Sequence, residues 1–313
     1  MSIYIITILS LICSYYALKK SINFLNKFLI DSPNERSSHS KPTPTGGGLI
    51  IAFVGTISTL LSGNLIPLIC IPLSIIGFFD DLYKLPNLLR YFAQLLTVFF
   101  LFSLNFSDLQ FFEFSGSILL IYSIFIIISG TAIINLSNFM DGIDGLVGGC
   151  FIVIFISSSY INNTSILPLV GALSGFLILN WSPAKLFMGD SGSTFLGAVL
   201  TGLIYSSKDL NSSLSLILIS SPLLLDSGVS IIRRFLNGQN IFKAHKLHLY
   251  QRLNQSGWQH QKVSILYIFT TSILSLSYMF FGLQYLLILS LVTILLGIYL
   301  DYFVAISFSS KSD

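Results

Sequence analysis

Five of the thirteen acidic residues, Asp80, Asp81, Asp141, Asp144 and Asp190, stand at the ends of hydrophobic stretches. Carboxylates gathered in this way suit a metal-dependent site acting on phosphates, because Mg²⁺ prefers hard oxygen ligands and bridges them to substrate phosphates. Asp80 and Asp81 are adjacent, with Lys84 one helical turn further on. Neighbouring acids repel, and acids near the C-terminal end of a helix oppose its dipole, so something beyond local helix formation must favour them. Asn135, Asn138, Asp141 and Asp144 recur at every third position, and Gly142 and Gly145 permit close ligand approach. A calcium loop would need acids at alternate positions and a later Glu, which this segment lacks.

A third polar segment runs from Asn180 through Phe187 to Asp190, Ser191 and Ser193. Pro183 ends one helix there, and Asp190 with the two serines would cap the next. Capping alone does not explain an aromatic ring, a glycine and an acid together, a grouping suited to holding a planar base beside a metal. The segment from Lys41 to Gly48 is stiff at its prolines and free at its glycines, and reads otherwise as a linker. A late loop carries His245, His248, Tyr250, Gln251 and Arg252. Zinc is a poor occupant for two histidines without a thiol or nearby acid. Asp226 lies inside a hydrophobic stretch, where an acid is a functional candidate by default. Arg233 or Arg234 is its expected partner, while Asp301 is less informative.

The elements that must position these residues are membrane helices. The chain has 313 residues, 53% of them apolar and only 9% charged, with a mean hydropathy of +0.83; soluble domains carry about 25% charged residues. Hydrophobic segments at 1–18, 47–62, 65–79, 88–104, 117–135, 146–161, 166–180, 192–206, 213–232, 264–281 and 284–305 predict an all-α polytopic protein of about eleven transmembrane helices. The break at Ser62, Gly63 and Asn64 is required, because one helix over 47–79 would reach about 50 Å across a hydrocarbon core of about 30 Å. With the N-terminus outside, 15 of the 16 basic residues fall on the cytoplasmic side, Arg36 and Lys311 among them, and only Lys208 falls outside. The five aspartates then share the cytoplasmic face. The net charge of +3 follows from that bias and gives no sign of nucleic-acid binding. Cys13, Cys70 and Cys150 are too few and too apolar in setting for a disulfide frame, and read as core filler. The first hydrophobic stretch lacks a preceding basic region and a small-residue cleavage site, so it is expected as a retained span. Residues 1–313 read as one integral-membrane domain.

In order, these segments resemble the polyprenyl-phosphate N-acetylhexosamine-1-phosphate transferases, the family of the phospho-MurNAc-pentapeptide translocase and of GlcNAc-1-phosphate transferases. The marks are Lys41 to Gly48, Asp80-Asp81 with Lys84, the series Asn135, Asn138, Asp141 and Asp144, Phe187 to Ser193, and the late histidine loop. The resemblance implies a fold with its active site on the cytoplasmic face of the bacterial inner membrane. It also implies the reaction: a UDP-N-acetylhexosamine gives its sugar-1-phosphate to undecaprenyl phosphate, and UMP leaves. Implied roles are catalytic for Asp80, Asp81, Lys84, Asp141, Asp144, His245 and His248. Lys41, Asn135, Asn138, Asn180, Phe187, Tyr250, Gln251 and Arg252 are implied to bind substrate, and Asp190 to bind Mg²⁺, or Mn²⁺ in its place. A homodimer is the candidate assembly. The translocase branch has a three-histidine run in its last loop, and this chain does not. Its late loop instead resembles the O-antigen-initiating subgroup that uses UDP-N-acetylfucosamine or N-acetylquinovosamine. A transporter or lipid flippase is the rival class, but transporters place ionisable groups near the midplane on broken helices. Here the polar residues gather at one face and only Asp226 is clearly inside.

Overall fold

Apolar runs broken by Gly, Pro and Asn fold into thirteen helices in a computed structural model that describes residues 2–33, 38–39, 41–107, 115–241, 243 and 245–308. The expected cytoplasmic anchors Arg36 and Lys311 lie outside those residues. The helices are α1 (Ile3–Phe28), α2 (Gly47–Leu60), α3 (Ile66–Tyr83), α4 (Asn87–Leu104), α5 (Gly116–Phe139), α6 (Leu146–Ile161) and α7 (Leu167–Asn180). They continue with α8 (Asp190–Tyr205), α9 (Leu210–Ile219), α10 (Ser221–Leu236), α11 (Leu249–Gln255), α12 (His260–Phe281) and α13 (Leu283–Phe303).

Each expected hydrophobic segment falls on one of these helices or on the pair α9 and α10, which bends by 72°. The expected break after α2 is present, since α2 ends at Leu60 and α3 begins at Ile66. Among the described residues six helices, α1, α3, α4, α5, α12 and α13, are long and apolar enough to cross a membrane, or seven if the bent pair is one span. The figure of eleven crossings is thus not carried by helix length, because α2, α6 and α7 are shorter apolar helices. The coarser expectation holds: this is an all-α, multi-pass membrane protein.

Packing explains the short helices. Every residue of α8 from Ser191 to Tyr205 is buried, with α2, α3, α4, α5, α6 and α9 around it. Its glycines allow close approach, as at Gly197, where a Cβ would sit 2.9 Å from the Ile134 Cα. By contrast α5 and α13 leave rows of large side chains exposed, including Ile121, Phe125, Ile128, Leu291 and Leu295, as lipid-facing helices do. Cys70 and Cys150 are core residues as expected, but Cys13 is exposed on α1. The linker before α2 is more ordered than a linker needs to be. Ile30 pairs with Pro44 and Asp31 with Thr43 in a two-residue antiparallel ladder of β1 (Ile30–Asp31) and β2 (Thr43–Pro44).

Candidate active site where two cavities meet

The C-terminal end of α3 and the first turn of α8 touch backbone to backbone. A Cβ on Gly77 would lie 2.6 Å from the Asp190 carbonyl carbon, and one on Gly189 (φ +70°) would strike Asp81 Oδ2. Glycine at both positions therefore lets Asp80, Asp81 and Asp190 share one small volume. Asp190 is the first residue of α8 rather than its cap; the cap position is Gly189, and the Asp190 N–H donates to Asp81 Oδ1 at 3.2 Å. Asp81 Oδ2 is buried with no hydrogen-bond partner among the described residues.

Arg90, on the first turns of α4, favours one of the two acids at the end of α3, Asp80, together with the facing Asp190. Its Nη1 donates to Asp80 Oδ2 at 2.7 Å and to Asp190 Oδ2 at 3.2 Å, while Nη2 is held by Asn87 Oδ1 at 2.7 Å. The other Asp80 oxygen accepts the Leu85 N–H at 2.7 Å. That bond depends on the reversal at Lys84, whose φ of +53° turns the chain from α3 into α4. Sequence reasoning counted Arg90 only as a charge. The overlooked signal was a lone arginine among apolar residues a few positions beyond an acid pair.

The third-residue repeat does not stay on a helix. α5 ends at Phe139, so Asn135 and Asn138 are helical while Asp141 and Asp144 sit in the turn that leads to α6. Asn135 exchanges hydrogen bonds with Gln94 at 2.7 and 3.3 Å, and Asn138 Oδ1 accepts from the Ser193 hydroxyl. Asp144 Oδ2 accepts the Ala184 N–H at 3.1 Å and lies 3.2 Å from His260 Nδ1, whose Nε2 is 3.0 Å from the Ser38 carbonyl. Burial alone would raise the Asp144 carboxyl, but the bond to His260 and its charge hold it below the ordinary value. Asp141 has no such partner among the described residues. Desolvation in the cavity raises it to about 8, reinforced by the charges of Asp190, Asp144 and Asp31.

The late loop folds over these acids. His245 and His248 lie 4.6 Å apart with tilted rings, and His248 stacks with Phe139 and Tyr250 at 6.1 and 5.7 Å. Burial and nearby positive charge, Arg234 above all for His248, push His245 down to about 3 and His248 down to about 4, so both are neutral at pH 7. The Tyr250 hydroxyl donates to the Phe139 carbonyl at 3.1 Å, which brings it over Gly142. Asp226 does not pair with Arg233 or Arg234. Its oxygens accept the N–H groups of Leu249 and Tyr250 at 2.6 and 3.0 Å and the Tyr267 hydroxyl at 2.6 Å, so it caps α11 and fixes the loop. Arg233 instead meets Asp301 at 2.6 Å, which gives Asp301 a role the sequence did not suggest.

Two cavities meet here. The larger, about 720 Å³, is lined by Asp81, Lys84, Asp141, Asp144, Asn180, Phe187 and Tyr250 among others. The smaller, about 280 Å³, joins Arg90, Asn135, His248 and Lys243 to apolar residues such as Leu73, Ile76 and Ile231. Asn138, Phe139, Asp190, His245 and Gln251 line both. Asp80 lines neither and braces Arg90 from behind. Three other expected site residues are placed as follows. Lys41 is exposed and lines neither cavity. Arg252 is buried on the opposite face of α11, donating to Asp301 and to the Ile306 carbonyl at 2.8 Å. Asn180 reaches the larger cavity, but its side chain joins two loops, accepting the Gly145 N–H and donating to the Leu186 carbonyl, both at 2.9 Å. Phe187 is half-buried with its ring 5.0 Å from His39, and its backbone is pinned to Pro44 and Gly47 at 2.9 and 3.0 Å.

Among the described residues no three of His, Cys, Asp and Glu come close enough to hold a metal by themselves. The donors nonetheless fit Mg²⁺, which takes one or two carboxylates and completes its shell with water and phosphate. Asp81, whose Oδ2 has no partner among the described residues, and Asp141 line the same cavity as Asp190, and all three offer hard oxygen.

Comparison with known proteins finds one family and many relatives. The profile of a family described as glycosyl transferase family 4 matches residues 64–208, a span that holds all five aspartates. The chain is 30% identical over 268 residues to a probable undecaprenyl-phosphate N-acetylglucosaminyl 1-phosphate transferase of Bacillus subtilis, covering 77% of this chain and 73% of that protein. It is 33% identical over 267 residues to a phospho-N-acetylmuramoyl-pentapeptide-transferase of Staphylococcus carnosus, covering 72% and 81%. A decaprenyl-phosphate N-acetylglucosaminephosphotransferase of Mycolicibacterium smegmatis is 29% identical over 287 residues, with coverage of 75% and 70%.

Proposed function

The chain belongs to glycosyl transferase family 4, and from that premise we propose that it transfers an N-acetylhexosamine-1-phosphate from a UDP-sugar to undecaprenyl phosphate, releasing UMP. The observation that carries this reading is the junction of a polar cavity with a half-apolar one at Asp190. The larger cavity suits the nucleotide sugar, with Phe187 as the surface for the uracil and Asn138, Asp141 and Asp144 around the nucleoside and phosphates. The smaller suits a phosphate on an apolar chain, with Arg90 and Lys243 as its cations. Asp190 is the proposed Mg²⁺ ligand, with Asp81 beside it. When bound, the ion would neutralise charge on the donor diphosphate.

In the transfer, an oxygen of the acceptor phosphate forms a bond to the donor's β-phosphorus. The bond from that phosphorus to the bridging oxygen breaks, and UMP leaves with the electron pair. A phosphate monoester with a second pKa near 6 is largely dianionic at pH 7, so the acceptor needs alignment more than deprotonation. The bonds of Asp80 to Arg90 and Leu85 favour an orienting role for it over proton removal. Direct transfer predicts sequential kinetics and inversion at phosphorus. A sugar phosphate trapped on Asp80 or Asp81 without acceptor would overturn it in favour of covalent catalysis.

The proposed setting is the bacterial inner membrane, with the N-terminus outside and eleven crossings. Support comes from the 15:1 split of basic residues and from the site's position at the C-terminal ends of α3, α5 and α7, one side of the bundle. The proposed product initiates a lipid-linked surface polysaccharide such as O-antigen, with a 6-deoxy-N-acetylhexosamine favoured over GlcNAc. The late loop without a three-histidine run is the basis for that preference.

A further inference from the structure

A third cavity, about 240 Å³, lies on the other face of α10, between it and α12 and α13, and shares no lining residue with the two cavities of the site. It follows α10 from Ser221 to Arg233, roughly 18 Å at 1.5 Å per residue. That is close to half of a hydrocarbon core of about 30 Å, the depth of one leaflet. Its walls are aliphatic, with Leu225, Val229, Leu266, Ile294, Leu296 and Ile298.

One end is charged. Arg233 Nη1 meets Asp301 Oδ2 at 2.6 Å, Arg252 Nη2 donates to Asp301 Oδ1, and the Phe308 ring lies 5.6 and 5.5 Å from the two guanidiniums. Two guanidiniums therefore face one carboxylate, and Arg252, at 2% exposure, keeps its Nε without a partner among the described residues. Asp226 also lines the wall, but both its oxygens are occupied by Leu249, Tyr250 and Tyr267. At that end Arg233 and Arg252 thus converge on the single carboxylate of Asp301, while Asp226, the only other acid among the described lining residues, is turned to the α11 backbone and Tyr267.

We propose that this groove binds an anionic membrane phospholipid, its phosphate against Arg233 and Arg252 and one acyl chain along α10. A charged end joined to an apolar slot one leaflet deep matches an amphiphile of that shape, whereas a long polyprenyl chain would overrun it. The site is separate from the acceptor site.

The test is native mass spectrometry of the full chain titrated in detergent with phosphatidylglycerol, phosphatidylcholine, undecaprenyl phosphate or inorganic phosphate. Two variants accompany it. In Gly297→Phe the new side chain fills the groove, since a Cβ there meets nothing within 4 Å. Arg233→Gln removes one cation and leaves Asp301 paired with Arg252. A single bound phosphatidylglycerol, preferred over phosphatidylcholine and weakened in each variant by roughly tenfold or more, is the expected result. Binding that ignores headgroup charge, or survives both variants unchanged, would overturn the proposal. So would displacement by equimolar undecaprenyl phosphate, which would join the groove to the acceptor site, or by inorganic phosphate, which would make it a plain anion site.

Discussion

Replacing Arg90 with glutamine probes the centre of the site. The side chain is part exposed and makes two charge-assisted bonds, at 2.7 Å to Asp80 and 3.2 Å to Asp190. Bonds to charged groups contribute about 1.5–3 kcal/mol when well desolvated. Solvent screening at a side chain 34% exposed lowers the effect on folding to about 1–2 kcal/mol for the pair. The catalytic effect is larger if Arg90 meets the acceptor phosphate, because the phosphate itself excludes that water. One lost phosphate contact of about 1.5–3 kcal/mol raises the KM for undecaprenyl phosphate roughly 10–150-fold. The donor KM should move far less. Arg90→Lys keeps a point charge without the fork and should fall between the two. The assay is initial-rate UMP release with each substrate varied in turn. A rise confined to donor KM would move Arg90 to the nucleotide side, and unchanged kinetics would reduce it to a structural brace.

Phe187→Ala should raise donor KM roughly 5–150-fold from the loss of about 1–3 kcal/mol of base stacking; a less stable protein with unaltered donor KM would make Phe187 a packing residue. Asp190→Asn should abolish most turnover and change the Mg²⁺ dependence, and near-normal activity with unchanged dependence would remove it from the metal site. His248, neutral in the fold and ordinary once unfolded, contributes a loss of stability of up to about 1.4 kcal/mol per pH unit as pH drops from about 6.5 to its folded value of about 4, and thermal melts of wild type and His248→Asn should diverge by that difference. Asp141 acts in the opposite direction. With its folded pKa raised to about 8, its contribution in metal-free protein is a loss of stability as pH rises from about 4 to 8, and Asp141→Asn should gain on wild type over that range in the same melts.

The membrane class, the helix breaks and the acids were legible because each is written in short stretches of sequence. Ser62 to Asn64 marks a turn between apolar runs, and carboxylates are rare enough in such a chain to stand out. What was not legible depends on partners far away in the chain. Asp226 caps α11 from another helix, and Asp144 meets His260 more than a hundred residues later. The late loop illustrates the limit within seven residues: Tyr250 and Gln251 face the site while Arg252 points to the other face of α11. Grouping those side chains by proximity in sequence overlooked the turn of about 100° per residue that separates them. The short ladder that orders the segment after Lys41 was likewise not legible, since it pairs Thr43 and Pro44 with Asp31 and Ile30.

The most direct measurement combines purified protein with Mg²⁺, undecaprenyl phosphate and a panel of UDP-N-acetylhexosamines, and follows UMP together with the lipid product. UMP should form only when acceptor and a matching donor are both present, in equal amount with a polyprenyl diphosphate sugar. No UMP from any donor, or a stoichiometric burst of UMP without acceptor, would contradict direct transfer between the two cavities.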